Sequence, residues 1–135
     1  MSFEYRTNLD QVNWAQLVED LIDDDFHNGR TQAQLRRSFE NSTHVIMAWD
    51  GGHLMGTARA LSDGVGNAYV IDVWTQTRYR NQGVATRMMQ DLLRSLPGQH
   101  VYLQTDDAVG FYLKLGFSPQ PEGLSRIVGT YLDPE

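Results

Sequence analysis

Apolar positions near the start of the chain recur at helical spacing and predict two helices. The apolar residues of the first helix recur at roughly helical spacing, and Asp10 stands where its N-cap would be; these residues are Val12, Leu17, Leu21 and Ile22, with Trp14 nearby. The sequence TQAQ at Thr31 to Gln34 matches a capping box and predicts the start of the second helix. The polar stretch 23–30 connects them.

Apolar and β-branched runs further along the chain predict a sheet. Two of these runs flank the turn Asp50-Gly51-Gly52 and predict a hairpin. A long helix is predicted to begin after Gly83 and to end before Pro97. The predicted strands are 3–6, 44–49, 53–61, 68–75 and 101–104, followed by one or two late strands from Phe117 onward, of which 127–132 is the clearest. A short helix is predicted at 108–115.

This order of elements mixes hairpins with crossovers, which predicts one domain over residues 1–135. The predicted fold class is α+β with three layers. A mixed, mostly antiparallel central sheet of six to seven strands is expected, together with about four helices.

The segment Arg80 to Ala85 lies between a predicted strand and a predicted helix, where a phosphate group could bind. A helix start presents unpaired backbone N–H groups and the positive end of the helix dipole. Gly83 has no Cβ and would let a ligand approach closely, although a lone glycine there also fits an ordinary turn. The segment lacks the Gly-Lys-Ser/Thr of a P-loop and the three glycines of a dinucleotide fingerprint, which argues against nucleotide kinases and dehydrogenases.

Two motifs give the chain a resemblance to a known family. Arg80 to Ala85 (RNQGVA) matches Gln/Arg-x-x-Gly-x-Gly/Ala, and 108–117 (AVGFYLKLGF) is similar to Ala-x-x-Phe-Tyr-x-Lys-Leu-Gly-Phe. With these motifs at the right separation, the sequence resembles the GNAT family of acetyl-CoA-dependent N-acetyltransferases over nearly its whole length. It departs from the family pattern at Asn81, where glycine is common, and at Thr77, where proline is common.

The resemblance implies a GNAT-like acyl-CoA N-acyltransferase fold and direct transfer of an acetyl group from acetyl-CoA to an amine. The backbone of Val73 to Thr75 is expected to pair with the pantetheine arm and to offer an N–H to the thioester oxygen. Nearby, Arg78, Arg80 and Arg87 could neutralise phosphate charge. The implied cofactor-binding residues are Val73, Trp74, Thr75, Arg80, Asn81, Gln82, Gly83, Val84, Ala85 and Thr86.

Two residues are candidates for catalysis. Tyr112 matches the family position of a tyrosine that protonates the departing thiolate, and its alternative role is an aromatic wedge between helix and sheet. Asp72 is the carboxylate nearest to Ile71, where some relatives carry a glutamate base. Strand alternation turns Asp72 to the opposite face from Ile71 unless a bulge intervenes. Its alternative role is a polar residue bonded to neighbouring backbone.

Composition narrows the class of partner. A net charge of −6 argues against a general nucleic-acid binder. The chain has no cysteine, which is compatible with a reducing compartment, and no apolar run long enough to span a bilayer, so the cytoplasm is expected and a membrane is not. The four histidines have no ligand-like spacing, so no metal is expected.

The acceptor is expected to be a small-molecule amine. An acidic run between Glu19 and Asp25 could attract a cationic acceptor or could simply be a solvated face. The segments 56–64 and 71–73 are similar to the arylalkylamine- and aminosugar-acetylating branches of the family. The alternatives are a protein or peptide N-acetyltransferase and a non-catalytic acyl-CoA sensor on the same fold. Family members often pair as homodimers, but the sequence identifies no interface.

Overall fold

The computed structural model describes residues 2–133 and forms five strands and four α-helices within that range. Its contacts divide the chain into two compact units, the first ending at Leu103 and the second beginning at Gln104. Compactness alone does not make a unit an independent domain, so the single domain predicted over 1–135 stays a prediction. The elements are β1 (Glu4–Arg6), α1 (Trp14–Asp23), α2 (Gln32–Glu40), β2 (His44–Asp50), β3 (His53–Ser62), β4 (Asn67–Thr75), α3 (Val84–Arg94), β5 (His100–Tyr102) and α4 (Val109–Lys114).

The five strands form one sheet in the order β1-β2-β3-β4-β5. The first four pair antiparallel with their neighbours, and β5 joins β4 in parallel after the crossover through α3. The prediction of a mixed, mostly antiparallel sheet in an α+β fold is therefore confirmed.

The predicted count of six to seven strands is wrong, because the described residues form five. The late strand expected at 127–132 is replaced by an isolated bridge between Thr130 and Asp133. Apolar side chains in this region are exposed, with Ile127 at 61% and Val128 at 81% of full exposure. A strand gains most of its stability from packing one face against other residues, and these side chains gain no such burial.

Helices cover both faces of the sheet in the first unit. On one face, Leu17 of α1 and Phe39 of α2 pack with Met47 and Trp74 in a buried cluster. On the other face, α3 packs closely: a Cβ added at Gly56 would lie 3.2 Å from both Ala48 Cβ and Met88 Cε. The first unit thus has the three predicted layers.

The predicted N-cap is confirmed for α2 and is wrong for α1. Thr31 and Gln34 form both hydrogen bonds of the predicted capping box at the start of α2. The cap of α1 is Asn13, whose Oδ1 accepts the Gln16 N–H at 3.1 Å, so the prediction of Asp10 is wrong. Among residues 2–133, no helix is long and apolar enough to cross a bilayer.

Candidate active site

One edge of β4 lacks a strand partner along much of its length. The strand pairs with β3 from Ala68 to Thr75 but with β5 only from Asn67 to Tyr69. Within the described part of the first unit, the edge beyond Tyr69 is therefore paired by a strand on one side alone. Val73 to Thr75, the residues expected to meet the pantetheine arm, lie on this edge.

A bulge interrupts β4 in the middle of that edge. Thr57 pairs with Trp74 and Arg59 pairs with Ile71, so β4 carries one more residue than β3 between these pairs. Asp72 lies there with φ +55°, in the left-handed region that few residues other than glycine adopt. The Thr57 hydroxyl donates to the Asp72 carbonyl at 2.8 Å and satisfies this buried acceptor.

The bulge determines where the Asp72 side chain points. Its carboxylate accepts hydrogen bonds from both Nη atoms of Arg30, at 2.8 and 3.0 Å, and from Arg59 Nε at 2.7 Å. Arg59 is the direct partner of Ile71, and paired residues share a face, so Asp72 and Ile71 lie on the same side of the sheet. The opposite-face expectation, made for a strand without a bulge, does not apply here.

Charge around Asp72 favours its ionised form. Burial alone would raise the pKa of this carboxyl, but the hydrogen bonds and charges of Arg30 and Arg59 outweigh it and hold the pKa below its usual value. All three side chains are at least 90% buried. The interior therefore holds one carboxylate between two guanidinium groups.

Asp24, which sequence reasoning did not single out, makes several contacts to the site. Its carboxylate accepts the Trp74 indole N–H at 2.9 Å, the Thr77 N–H at 3.2 Å and the Thr77 hydroxyl at 2.6 Å. Burial acts to raise the pKa of Asp24, and these hydrogen bonds together with Arg80 lower it below its usual value. The acidic run gave no signal for this role, because Glu19, Asp23 and Asp25 in the same run are exposed.

After β4, a 3₁₀ turn (Thr77–Tyr79) leads to the start of α3. Asn81 has φ +64°, which explains how it replaces the glycine common in the family, since asparagine tolerates this conformation. Gly83 is the N-cap of α3 with φ +82°, and no side chain caps the helix. A Cβ built on Gly83 would meet nothing within 4 Å, so the space in front of the helix start is open.

The arginines near this turn are each engaged within the chain. Arg80 Nε donates to the Thr75 carbonyl at 3.0 Å, which ties the turn to the end of β4. Arg87 Nε donates to Asp91 at 3.0 Å, and its guanidinium lies over the Tyr5 ring. Arg78 lies over the Tyr79 ring. The side chains of Arg80 and Arg87 remain about half exposed, at 52% and 54%.

The predicted cofactor residues differ in which of their atoms are accessible. Trp74 and Val84 are buried, at 1% and 2% exposure, so only their backbone could meet a ligand. Asp72 and all of the predicted cofactor residues lie in the first unit. Tyr112 lies on α4 in the second unit.

Tyr112 has a packed ring and a phenol that keeps its proton. The ring meets Phe111 and Phe117 edge-on, with centroids 5.0 and 5.7 Å apart. Burial and, to a smaller extent, the charge of Asp107 raise the pKa of Tyr112 above its usual value. The phenol is therefore protonated at neutral pH and able to act as a donor.

Acid is expected to destabilise the fold through Asp24 and Asp72. Because their native pKa values lie below the unfolded value of about 3.9, their contribution to stability is present above that value and is lost as pH falls through the native pKa. Urea midpoints measured by tryptophan fluorescence should fall steeply below about pH 4. The urea midpoint of Asp24→Asn should fall less steeply with decreasing pH than that of wild type. An unchanged slope would contradict the role of Asp24 in this acid sensitivity.

The one-sided edge of β4 leads directly into the open start of α3, within a mixed-sheet α+β fold. A model of the acetyltransferase (GNAT) family matches residues 9–117, which is more than half of the 135-residue chain. The chain therefore belongs to the GNAT family, and the resemblance drawn from its two motifs is confirmed.

Curated relatives share part of their length with this chain. A histone acetyltransferase, TAP1, from Glycine max is 36% identical over 75 residues, covering 53% of this chain and 32% of that protein. A chloroplastic serotonin N-acetyltransferase 2 from Oryza sativa subsp. japonica is 32% identical over 103 residues, covering 70% of this chain and 52% of that protein. The chain thus spans about a third to a half of these relatives.

Solved structures show the same fold. A protein from Xanthomonas campestris pv. campestris, described as belonging to the GNAT family, superposes with a TM-score of 0.83 at 24% identity. The match covers 95% of this chain and 94% of that one.

Proposed function

We propose that this chain is an N-acetyltransferase that moves the acetyl group of acetyl-CoA directly to a primary amine. The observation that carries the proposal is the continuity between the one-sided edge of β4 and the uncapped start of α3 at Gly83. An extended ligand arm can pair with such an edge, and a pyrophosphate can bind at such a helix start.

The residues at the start of α3 and along the free edge of β4 fit acetyl-CoA. The N–H groups of Val84, Ala85 and Thr86 in the first turn of α3 would hold the pyrophosphate, which approaches through the space that a Cβ on Gly83 would fill. Arg80 would add positive charge beside it. The backbone from Val73 to Thr75 would hold the pantetheine arm.

Acetyl-CoA supplies an activated acyl group as a thioester, and the chain supplies donors around it. Gln76 N–H donates to Met55 O of β3 at 2.8 Å. Because N–H groups alternate sides along a strand, those of Val73 and Thr75 are expected on the side away from β3. They would stabilise negative charge on the thioester oxygen, and Tyr112 would donate its proton to the departing thiolate.

The acceptor amine needs a route by which its proton leaves. An amine with a pKa near that of lysine, about 10.4, must lose a proton before it attacks. That Asp72 accepts this proton stays a prediction, and its surroundings argue against it, because two arginines occupy its oxygens and lower its pKa. We favour a chain of ordered water as the route for this proton.

A small-molecule amine is the favoured acceptor. The exposed carboxylates of Glu19, Asp23 and Asp25 would attract a cation, and the match to the rice serotonin N-acetyltransferase extends over more residues than the match to the soybean histone acetyltransferase. A protein or peptide acceptor is the second candidate, and the soybean relative supports it. Binding of acetyl-CoA without turnover would indicate a sensor instead.

Calorimetric binding of acetyl-CoA tests the proposal, with Gly83→Glu as the informative variant. A glutamate fills the open space before α3 and places a negative charge where the phosphates would bind, so we expect the affinity to fall by about tenfold or more. An amine panel assayed for acetylation then identifies the acceptor class. No binding by the wild-type protein would refute the function.

Two variants separate charge from backbone strain. Gly83→Gln carries the same strain at φ +82° without the charge and should weaken binding less than glutamate does. Gly98→Glu places a glutamate at φ +76° outside the site and should leave binding unchanged. Equal losses in all three variants would mean that unfolding, rather than the phosphate site, explains the result.

We propose the cytoplasm as the place of action, since a chain without cysteine is compatible with a reducing compartment. Cell fractionation would distinguish it from the chloroplast named for the rice relative. A homodimer stays a prediction that light scattering can measure.

A further inference from the structure

The connector, defined as residues 24–31 between α1 and α2, contains no helix or strand, and the backbone bonds of Asp25 and Phe26 join its first residues to the end of α1. Asp25, Asn28 and Gly29 adopt φ values of +55°, +58° and +75°. Aspartate, asparagine and glycine tolerate this left-handed region, so besides the packing of Phe26 against the core, the connector is tied to the sheet by polar contacts of its side chains. Two side chains of the connector make such contacts with β4 and the turn after it.

Asp24 makes the first of these contacts. Its two carboxylate oxygens accept three hydrogen bonds, one from the Trp74 indole and two from Thr77. The Asp24 side chain is 10% exposed. Hydrogen bonds to an ionised acceptor are about twice as strong as neutral ones, so this contact fixes the start of the connector.

Arg30 makes the second contact, near the other end of the connector. Its two Nη atoms donate to both oxygens of Asp72, at 2.8 and 3.0 Å. Its Nε donates to the His27 carbonyl at 3.0 Å, which braces the connector itself. This paired geometry is directional and resists sliding of the connector along the strand.

The two contacts lie on either side of Val73. Asp72 precedes Val73 and Trp74 follows it, in the stretch of β4 proposed to present the acetyl group. The strand is the fixed partner, because β3 pairs with it and Trp74 is 1% exposed in the core. The connector is therefore the element that is held.

We propose that Asp24 and Arg30 are positioning residues that hold the connector beside Val73, so that an amine acceptor is received at a fixed place next to the acetyl group. This inference rests on the proposed function. Neither residue is catalytic, because the charged group of each is already engaged within the chain. Both act through the connector, whose exposed residues Asp25 and Asn28 are free to meet the acceptor.

The Asp72 ion-pair cluster offers a matched pair of variants. Arg30→Met releases the connector but leaves Asp72 paired with Arg59, so no buried charge is left without a partner. Arg59→Met leaves Asp72 paired with Arg30 and removes none of the hydrogen bonds that Arg30 makes. Asp24→Ala removes the other contact, and Asp10→Ala, at an exposed position outside the connector, is its control.

Hydrogen exchange and steady-state kinetics on the full chain together test the inference. In Arg30→Met and Asp24→Ala, the backbone amides at positions 26 and 30, which in wild type donate to Leu21 O and His27 O, should exchange at least about tenfold faster. The kcat/KM for the amine should fall by about tenfold or more, while the Kd for acetyl-CoA changes by less than about threefold. The control Asp10→Ala should match wild type in all three measurements, and Arg59→Met should leave exchange in the connector unchanged and lower kcat/KM less than Arg30→Met does.

Each other outcome contradicts the inference. Unchanged exchange in the connector would show that the two contacts do not hold it. Faster exchange with unchanged kcat/KM would show that the connector does not position the acceptor, and an equal loss in Arg59→Met would assign the effect to general stability. If wild type acetylates no amine, the proposed function fails and the positioning role fails with it, whereas connector exchange still reports whether the contacts are structural.

Discussion

Replacing Tyr112 with phenylalanine is expected to lower kcat by about 100-fold or more and to leave the affinity for acetyl-CoA within about threefold of wild type. A departing thiolate takes a proton from a positioned donor, and phenylalanine has none. An ordinary phenol, with a pKa of about 10, is already a weaker acid than a thiol at about 8.5. Because the structure raises the pKa of Tyr112 further, the donor relies on position rather than acidity.

The same substitution preserves the packing of the second unit. Phenylalanine retains the edge-on ring contacts with Phe111 and Phe117, so the melting temperature should change little. Tyr131→Phe is the matched control, since Tyr131 is in the same unit and is 56% exposed. Single-turnover acetylation measures the chemical step directly. If Tyr112→Phe retains wild-type kcat, the thiolate takes its proton from another donor, and the ring serves packing alone.

Local chemistry explains the elements that the sequence predicted well. The capping box of Thr31 and Gln34 involves groups three residues apart, and both of its hydrogen bonds are present. Gly83 supplies the left-handed backbone that begins α3. In both cases the signal and its structural partner lie within a few residues, so the local pattern was sufficient.

Competing local signals and absent burial explain the errors. Asp10 and Asn13 are both good N-cap residues, but the Asp10 N–H instead bonds to Asn8 Oδ1, and the chain turns at Gln11 with φ +64° before the helix begins. The run 127–132 has the composition of a strand, but its exposed side chains lack a surface to pack against. Propensity alone cannot supply that surface.

The turn and helix start of the candidate site could be predicted from the sequence, but the contacts between its side chains could not. The motif located the turn and the edge of β4, whereas Arg30 and Asp72 are 42 residues apart and Asp24 and Trp74 are 50 apart. A run of acidic residues usually indicates a solvated surface, so the sequence did not distinguish Asp24 from its exposed neighbours. The bulge lies at an aspartate, whereas a glycine often marks a bulge. The alternation of apolar and polar residues in β4 therefore did not predict it.

Asp72→Asn is expected to lower the free energy of unfolding by about 3–5 kcal/mol. Asparagine is nearly isosteric and tolerates the φ of +55°, so the bulge itself need not change. What changes is charge: Arg30 and Arg59 would remain buried, at 6% and 10% side-chain exposure, without a counter-ion. Since small domains have about 5–15 kcal/mol of stability, this loss is a large fraction of the total.

Equilibrium unfolding in urea, with the buried tryptophans as probes, measures this loss, and a second substitution identifies its cause. Adding Arg59→Met to Asp72→Asn removes one of the two unpaired cations, so the double variant should be less destabilised than the sum of the single variants. Asp10→Asn, which neutralises an exposed carboxylate, should stay within about 0.5 kcal/mol of wild type. A loss below about 1 kcal/mol for Asp72→Asn would mean that water reaches the two guanidinium groups and that the ladder with β3, rather than the ion pairs, holds the bulge in place.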